Sequence, residues 1–450
     1  MADRLAATGV LLVGGASSRF GSPKALAPFR GETLAERGWR ILHEVCDEVL
    51  AIGKQADAFG LPFAVLDDGS EERAPVYGLI AGLRSATNDV CIALPVDCPL
   101  VTADLLESLA ADVAVPQTGP LPGAYSKGML PELEARVARG ELSLRGASPT
   151  VVQVDESLLL NVNTRMELMT AAVADWARER EDVRALLVVG SQARAGAPAD
   201  RWSDLDLIFL IDDPQAYLAD ATWVEEFGSP VLTFLESTLD GHWERRVLYE
   251  TGEEVDFVLF RASIVERLEG SEGAAALLTR GYRLLVDRVG LEEALARIVA
   301  KPRPSGPTQH DFAELANDFW YHALWTAKKL RRGEVYTALD CLDGYMKARL
   351  VTLLGWHARA VDTSVDTWHA GRFVERWADP GALAALEKAF AYYDVRDVAR
   401  ALWETIDLWQ GLEEETARRL GIELVLNHAD LRRRVAEVVP DPRHASPLWP

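Results

Sequence analysis

Asp204-Leu205-Asp206 sets two carboxylates at positions i and i+2 where the apolar run Leu205–Ile211 begins. Successive side chains of a strand alternate between faces, so both acids point to one side and can share a cation. A third acid, Asp256, lies inside another apolar run, Val255–Phe260. It would complete the cation site or take the proton of an attacking hydroxyl. Gly190-Ser191 closes the run Val183–Val189, and the amides and hydroxyl around Ser191 suit a phosphate oxygen. Asp-x-Asp by itself is commonly a solvated turn. Gly-Ser, the acid pair and a third strand-borne acid in that order point instead to phosphoryl-type chemistry with Mg²⁺ neutralising the phosphates.

A second constellation lies near the N-terminus. Gly14 and Gly15 follow the strand-like run Gly9–Val13, and residues lacking a Cβ let the backbone approach a phosphate closely. With Ser17 they form a candidate nucleotide-binding loop, and Arg19 and Lys24 add cations at fixed offsets from it. The run Val90–Val96 ends in Asp97, a candidate metal ligand in the same crevice. An isolated Asp at a strand end is equally an N-cap or turn former.

These residues need elements to hold them. Over residues 1 to about 168 strand-like runs (Gly9–Val13, Val49–Ile52, Ala64–Leu66, Val90–Pro95, Val151–Val154) alternate with helical patterns. This alternation predicts an α/β domain, a doubly wound, Rossmann-like and mostly parallel sheet with its site at the carboxyl ends of the strands. The helical stretch Arg165–Glu181 then leads into a second, small α/β unit with no Gly/Ser-rich linker, which favours packing of the two halves over free swinging. Lys301–Thr308 is rich in Pro and Gly and reads as a linker, and the residues beyond it carry helical periodicity. The expected organisation is therefore 1–170, 171–300, a helical domain over 301–440, and an unstructured tail over 441–450. Glu314 and Asp318 would share one helix face there. They would meet amino or guanidino groups of a cationic acceptor, or form an ordinary solvated acidic face. Trp320, Trp325 and Trp356 read as core aromatics.

Composition narrows the classes. A chain of 450 residues with 49% hydrophobic content forms two or three domains. The formal charge of −22 argues against nucleic acid as a partner. It weakly favours a cationic substrate, although an acidic proteome gives the same balance. The 4 cysteines and 8 histidines show no metal-ligand spacing and no disulfide framework. No apolar run approaches the roughly 20 residues that span a bilayer, and no leader is recognisable, so a cytoplasmic protein without membrane association is expected.

Two resemblances follow from these motifs. LVGGASSRFGSPKAL, the segment Ala74–Leu83, PVDCPL and Asn161-Val162-Asn163-Thr164 resemble the MobA-like nucleotidyltransferases over roughly residues 8–170. That resemblance implies that Lys24 contacts the phosphates of GTP or CTP, that Asp97 binds the divalent metal, and that an α-phosphate is attacked with loss of pyrophosphate. Phe20 replaces the usual Met, and Ala74-Pro75-Val76-Tyr77 departs from the family's Gly-Pro-Leu-type segment. Residues from about 172 to 425, with Asp204–Asp213, Trp223–Gly228, Asn317-Asp318-Phe319-Trp320 and Ala327–Leu330, resemble the aminoglycoside 6-adenylyltransferase (streptomycin adenylyltransferase) family. This implies a polymerase-beta-like nucleotidyltransferase domain, ATP as donor, Mg²⁺ as cofactor, a hydroxyl of an aminoglycoside-like small molecule as acceptor, and a helical domain that supplies acceptor contacts. Gln192–Ala197 departs from the family's run after Gly-Ser. The combined expectation is a bifunctional nucleotidyltransferase; the alternative is one catalytic half beside a vestigial or regulatory nucleotide-binding half.

Overall fold

The run Leu5–Leu12 (β1) is the central strand of the first sheet. The computed structural model describes residues 4–14, 20, 23–54, 60–147, 150–194, 196, 199–238, 241–301, 306–367 and 370–443. Beside β1 run Cys46–Gly53 (β2) and Val65–Asp67 (β3), both parallel; on its other side Val90–Pro95 (β4) is parallel and Gly123–Ser126 (β5) antiparallel. Strand alternation feeds two cores. Ala7, Leu11 and Val13 pack with helices α1 (Leu34–Val45) and α3 (Ala103–Asp112). Val10 and Leu12 pack with α2 (Pro75–Ser85) and α4 (Leu130–Ala138). This is the doubly wound, largely parallel sheet that the sequence predicts. One difference concerns Val151: Val151–Val152 pairs with Val115–Pro116 outside the main sheet.

Helix α5, Arg165–Arg178, starts at Thr164, whose hydroxyl caps the Glu167 amide while Glu167 returns to the Thr164 amide. The second sheet is mixed. Its strands are β6 (Val183–Val189), β7 (Leu205–Ile211), β8 (Pro230–Ser237), β9 (Trp243–Tyr249), β10 (Glu254–Arg261) and β11 (Arg283–Asp287), in the order β8-β9-β10-β7-β6-β11. Among the described residues of this sheet, β7 and β10 run parallel and the other neighbouring strands antiparallel. The sequence reading contained neither β9 nor β11. In β9 the string Glu244-Arg245-Arg246 breaks the apolar pattern. Arg245 is buried all the same, because its guanidinium donates to Thr233 Oγ1 at 3.3 Å and to the Leu218 carbonyl at 2.5 Å.

Residues Met1–Lys301 form one compact unit and Pro302–Pro450 a second. Within the first, the two sheets share a core. Phe20, Phe29, Leu34, Leu100 and Val162 pack in one cluster with Ala171, Val173 and Trp176 of α5 and with Leu205, Leu207, Phe209 and Phe257. Ion pairs reinforce the junction: Arg30 meets Asp175 at 2.9 Å and Glu179 at 2.7 Å, and Arg37 meets Asp175 at 2.5 Å. The four cysteines are buried and unbridged.

The second unit contains helices and no strand among its described residues, led by α6 (Gln309–Arg331), α7 (Lys347–Val361), α8 (Val395–Leu420) and α9 (His428–Val438). Residues 302–305 of the expected linker lie outside the described residues, and α6 opens on a capping box formed by Thr308 and Asp311. Phe319 stacks on Trp409 at 3.8 Å, and the indoles of Trp320 and Trp409 both donate to buried Glu413. Of the expected tail, Arg443 is tied to α8 through Glu404 at 3.1 Å and Asp407 at 2.8 Å, while 444–450 lie outside the described residues. No helix of the described residues is long and apolar enough to cross a membrane.

Lys347 is the costly residue of this unit. It is 4% exposed and donates to the Ala389 carbonyl and Thr405 Oγ1, both at 2.8 Å, and to Asp343 at 3.2 Å. Burial pushes its ammonium down to about 8, against the attraction of Asp343. Between pH 8 and its ordinary value of 10.5 the unfolded chain therefore binds more protons than the folded one, so stability rises with pH through that window. Relative to Lys347→Met, the native chain is expected to gain roughly 3 kcal/mol across it. Denaturant unfolding of both proteins at pH 7.5 and above pH 10 measures this difference, and parallel pH profiles would contradict it.

Candidate active sites

The first site is a cavity of about 370 Å³ at the carboxyl ends of β1, β2 and β4, lined by Gly14, Lys54, Asp97 and Asn161 among others. Lys24 reaches across it. Its Nζ donates to Asp97 Oδ2 at 3.1 Å and to Asn163 Oδ1 at 2.7 Å, and Asn163 in turn donates to Asn161 Oδ1 at 2.8 Å. The Asp97 carbonyl accepts from the Val162 amide at 2.8 Å, so the strand end and the start of α5 are fastened together. Lys24, Asp97 and Asn163, far apart in sequence, thus meet at one point, and Asp97 is charge-compensated by Lys24. Gly14 lines the cavity; Gly15, Ser17 and Arg19 lie outside the described residues. Lys54 was missed by sequence reasoning. It follows β2 directly and binds Asp68 at 2.7 Å, the Glu72 carbonyl at 2.8 Å and the Ser70 carbonyl, which pins segment 68–72 to the cavity. Its only sequence signal was a cation immediately after a strand end, a place where the fold gathers ligands.

The second site is built by strand register. Val189 of β6 pairs with Asp206 of β7, and Asp206 pairs with Asp256 of β10. The odd-numbered residues Leu205, Leu207 and Phe209 enter the shared core, which turns Asp206 to the opposite face. Asp204, Asp206 and Asp256 each offer a carboxylate oxygen, and these oxygens lie within 4.8 Å of one another. Burial, with Glu244, Asp204 and Glu254 adding to it and Arg246 opposing, pushes the Asp256 carboxyl up to about 6. Three converging acids, one of them buried, fit a hard divalent cation that takes oxygen ligands.

The turn Gly190–Gln192 follows β6 and lies against the Asp206 carboxylate, with Gly190 its point of closest approach. Ser191 is buried, and its hydroxyl donates to the Asp204 carbonyl at 3.2 Å, joined there by Gln192 Nε2 at 3.3 Å. The turn therefore holds the backbone of the first acid. Arg246 of β9 was also missed: its Nη2 lies 3.2 Å from Asp256 Oδ2. Nothing in a single sequence marks it, since its place beside Asp256 is set by the β9–β10 register.

In the helical unit an open cleft of about 550 Å³ is lined by Asp311, Glu314, Asp318, Arg349, Thr352 and Trp356. The two acceptor candidates share it but differ in state. Glu314 is exposed. Asp318 accepts from Arg349 Nε at 2.8 Å and from Tyr345 Oη at 3.0 Å; these contacts outweigh burial and hold its carboxyl below the ordinary range. Trp320 is a core residue, while Trp325 and Trp356 are partly buried against the same core.

A doubly wound domain with a crevice at its strand ends, followed by a mixed sheet carrying Gly-Ser and three converging acids, defines the class: both α/β halves are nucleotidyltransferase-family domains. Residues 163–435 match the family model described as streptomycin adenylyltransferase, and residues 9–151 match that of the MobA-like NTP transferase domain. The chain belongs to the streptomycin adenylyltransferase family and carries a MobA-like NTP transferase domain ahead of that region. A probable molybdenum cofactor guanylyltransferase of Aquifex aeolicus is 32% identical over 35% of this chain and 86% of its own length. An aminoglycoside 6-adenylyltransferase of Bacillus subtilis is 22% identical over 41% of this chain, which spans 65% of that relative's length. A crystal structure of an aminoglycoside 6-adenyltransferase from Bacillus subtilis aligns with 61% of this chain and 98% of its own, at 16% identity and a TM-score of 0.31.

Proposed function

We propose that the chain is a bifunctional, Mg²⁺-dependent nucleotidyltransferase with one active centre in 1–170 and another in 171–300. The observation that carries this reading is the convergence of Asp204, Asp206 and Asp256 in a chain that also joins Lys24, Asp97 and Asn163 at a second crevice. In the second half, the acceptor's hydroxyl oxygen attacks the α-phosphorus of ATP, the bond to the bridging oxygen breaks, and pyrophosphate leaves. Asp204 and Asp206, with Asp256 beside them, would hold Mg²⁺, which offsets charge on the phosphates. Asp256, a buried carboxylate within 4.8 Å of the acid pair, is placed to receive the hydroxyl proton. The turn at Gly190-Ser191 keeps the acids in position. An aminoglycoside-like cation as acceptor agrees with the name of the Bacillus relative and with the net charge of −22.

In the first half, Lys24 would bind the phosphates of GTP or CTP and Asp97 would bind the metal. GTP is favoured by the name of the Aquifex relative. Positioning and charge neutralisation suffice for both transfers, with no covalent enzyme intermediate. Pyrophosphate release is measured for each nucleoside triphosphate against molybdopterin, sugar phosphates, aminoglycosides and polyamines. Asp97→Asn is expected to abolish the GTP- or CTP-dependent release and to spare the ATP-dependent one. Loss of both in a folded protein would overturn two independent centres. A half that binds nucleotide without ever releasing pyrophosphate would be a sensor instead of an enzyme.

A further inference from the structure

Along one face of the second sheet, register places Phe234, Arg246, Asp256 and Asp206 in a row across β8, β9, β10 and β7. Arg246 contacts three acids unequally. Its Nε lies 2.8 Å from both Glu236 and Glu244, whereas Nη2 reaches Asp256 at 3.2 Å. One end of the guanidinium is clamped by two glutamates outside the acidic centre, and the other end rests on a member of it. The side chain remains 43% exposed, so the contact with Asp256 is worth little to the fold by itself.

We propose that Arg246 is a placeholder cation: it compensates Asp256 until a divalent cation arrives, then turns its released N–H edge to the phosphates of the nucleotide. The inference rests on the reading that the three acids bind a divalent cation. A doubly charged ion bound directly to the Asp256 carboxylate outcompetes a half-exposed guanidinium and repels it. The clamp at Nε then keeps Arg246 beside the centre while its planar fork is free, and that fork matches phosphate oxygens as a lysine ammonium does not.

Calorimetric titration of the full chain tests this, first with Mn²⁺ alone and then with a non-hydrolysable ATP analogue at saturating Mn²⁺. Arg246→Met is expected to bind Mn²⁺ about fivefold tighter than the native chain, the competitor having been removed. It is expected to bind the analogue about tenfold more weakly or worse. Arg246→Lys retains the charge and loses the fork, so Mn²⁺ affinity stays near native while analogue affinity falls. Unchanged or weaker Mn²⁺ binding by Arg246→Met, or undiminished analogue binding by both variants, overturns the proposal. Asp206→Asn separates the premise: if Mn²⁺ binds that variant as it binds the native chain, the cation site itself is wrong and the inference goes with it.

Discussion

Asp206→Asn is expected to slow the ATP-dependent transfer on the order of a thousandfold and to leave the transfer of the first half at its native rate. Asp206 stands between Val189 and Asp256 in the ladder, and its carboxylate faces both other acids within 4.8 Å. Asparagine keeps the volume and removes the charge, so the set of three acids becomes two with one oxygen fewer to bind an ion. The fold should persist, because the residues that anchor β7 are its neighbours Leu205, Leu207 and Phe209, which point into the shared core. Pyrophosphate release with ATP and cationic acceptors measures the loss, and release with GTP or CTP serves as the internal control. A native rate with ATP would move the second centre away from this cluster. Loss of both activities in a folded protein would mean that the two halves act through one.

The acids of the second site were legible because β7 and β10 are clean apolar runs, and a period of two converts Asp204-Leu205-Asp206 directly into a shared face. Their closeness to Asp256 needed the structure, since nothing in a single sequence says that β7 and β10 lie side by side. For the same reason β9 was hidden. Its charges are explained only by partners on other elements: Thr233 and the Leu218 carbonyl for Arg245, and Glu236 and Asp256 for Arg246. The first crevice was read from its loop and from Asp97, yet Lys54 escaped because its partners are two backbone carbonyls and an acid brought near by the turn after β3. The absence of a flexible linker signalled that the halves pack together. It did not identify the core they share, in which Phe20, Phe29 and Val162 of one meet Trp176 and Phe209 of the other. In the helical unit, i and i+4 spacing put Glu314 and Asp318 on one cleft, but only the fold shows that Arg349 and Tyr345 already engage Asp318.

Gly190→Ala is expected to remove ATP-dependent transfer nearly as completely as loss of Asp206 itself. At φ +65 a side chain is strained, which costs about 1–2 kcal/mol for an L-residue. The larger effect is steric. A methyl group at 190 would lie 1.9 Å from Asp206 Oδ2 and 2.8 Å from its Cγ. Asp206 is a short side chain rooted in a central strand, so either its carboxylate rotates away from Asp204 and Asp256 or the turn shifts. A shift would pull Ser191 and Gln192 off the Asp204 carbonyl, so both responses dismantle the same site. Gly252→Ala separates strain from collision. Its φ is +93, and nothing lies within 4 Å of the added methyl, so it carries the backbone cost alone. The expected pattern is a modest fall in Tm for both variants, with metal binding and ATP-dependent transfer lost only in Gly190→Ala. Should Gly190→Ala fold, bind metal and transfer at the native rate, Asp206 would have to work from a position other than the one its strand gives it.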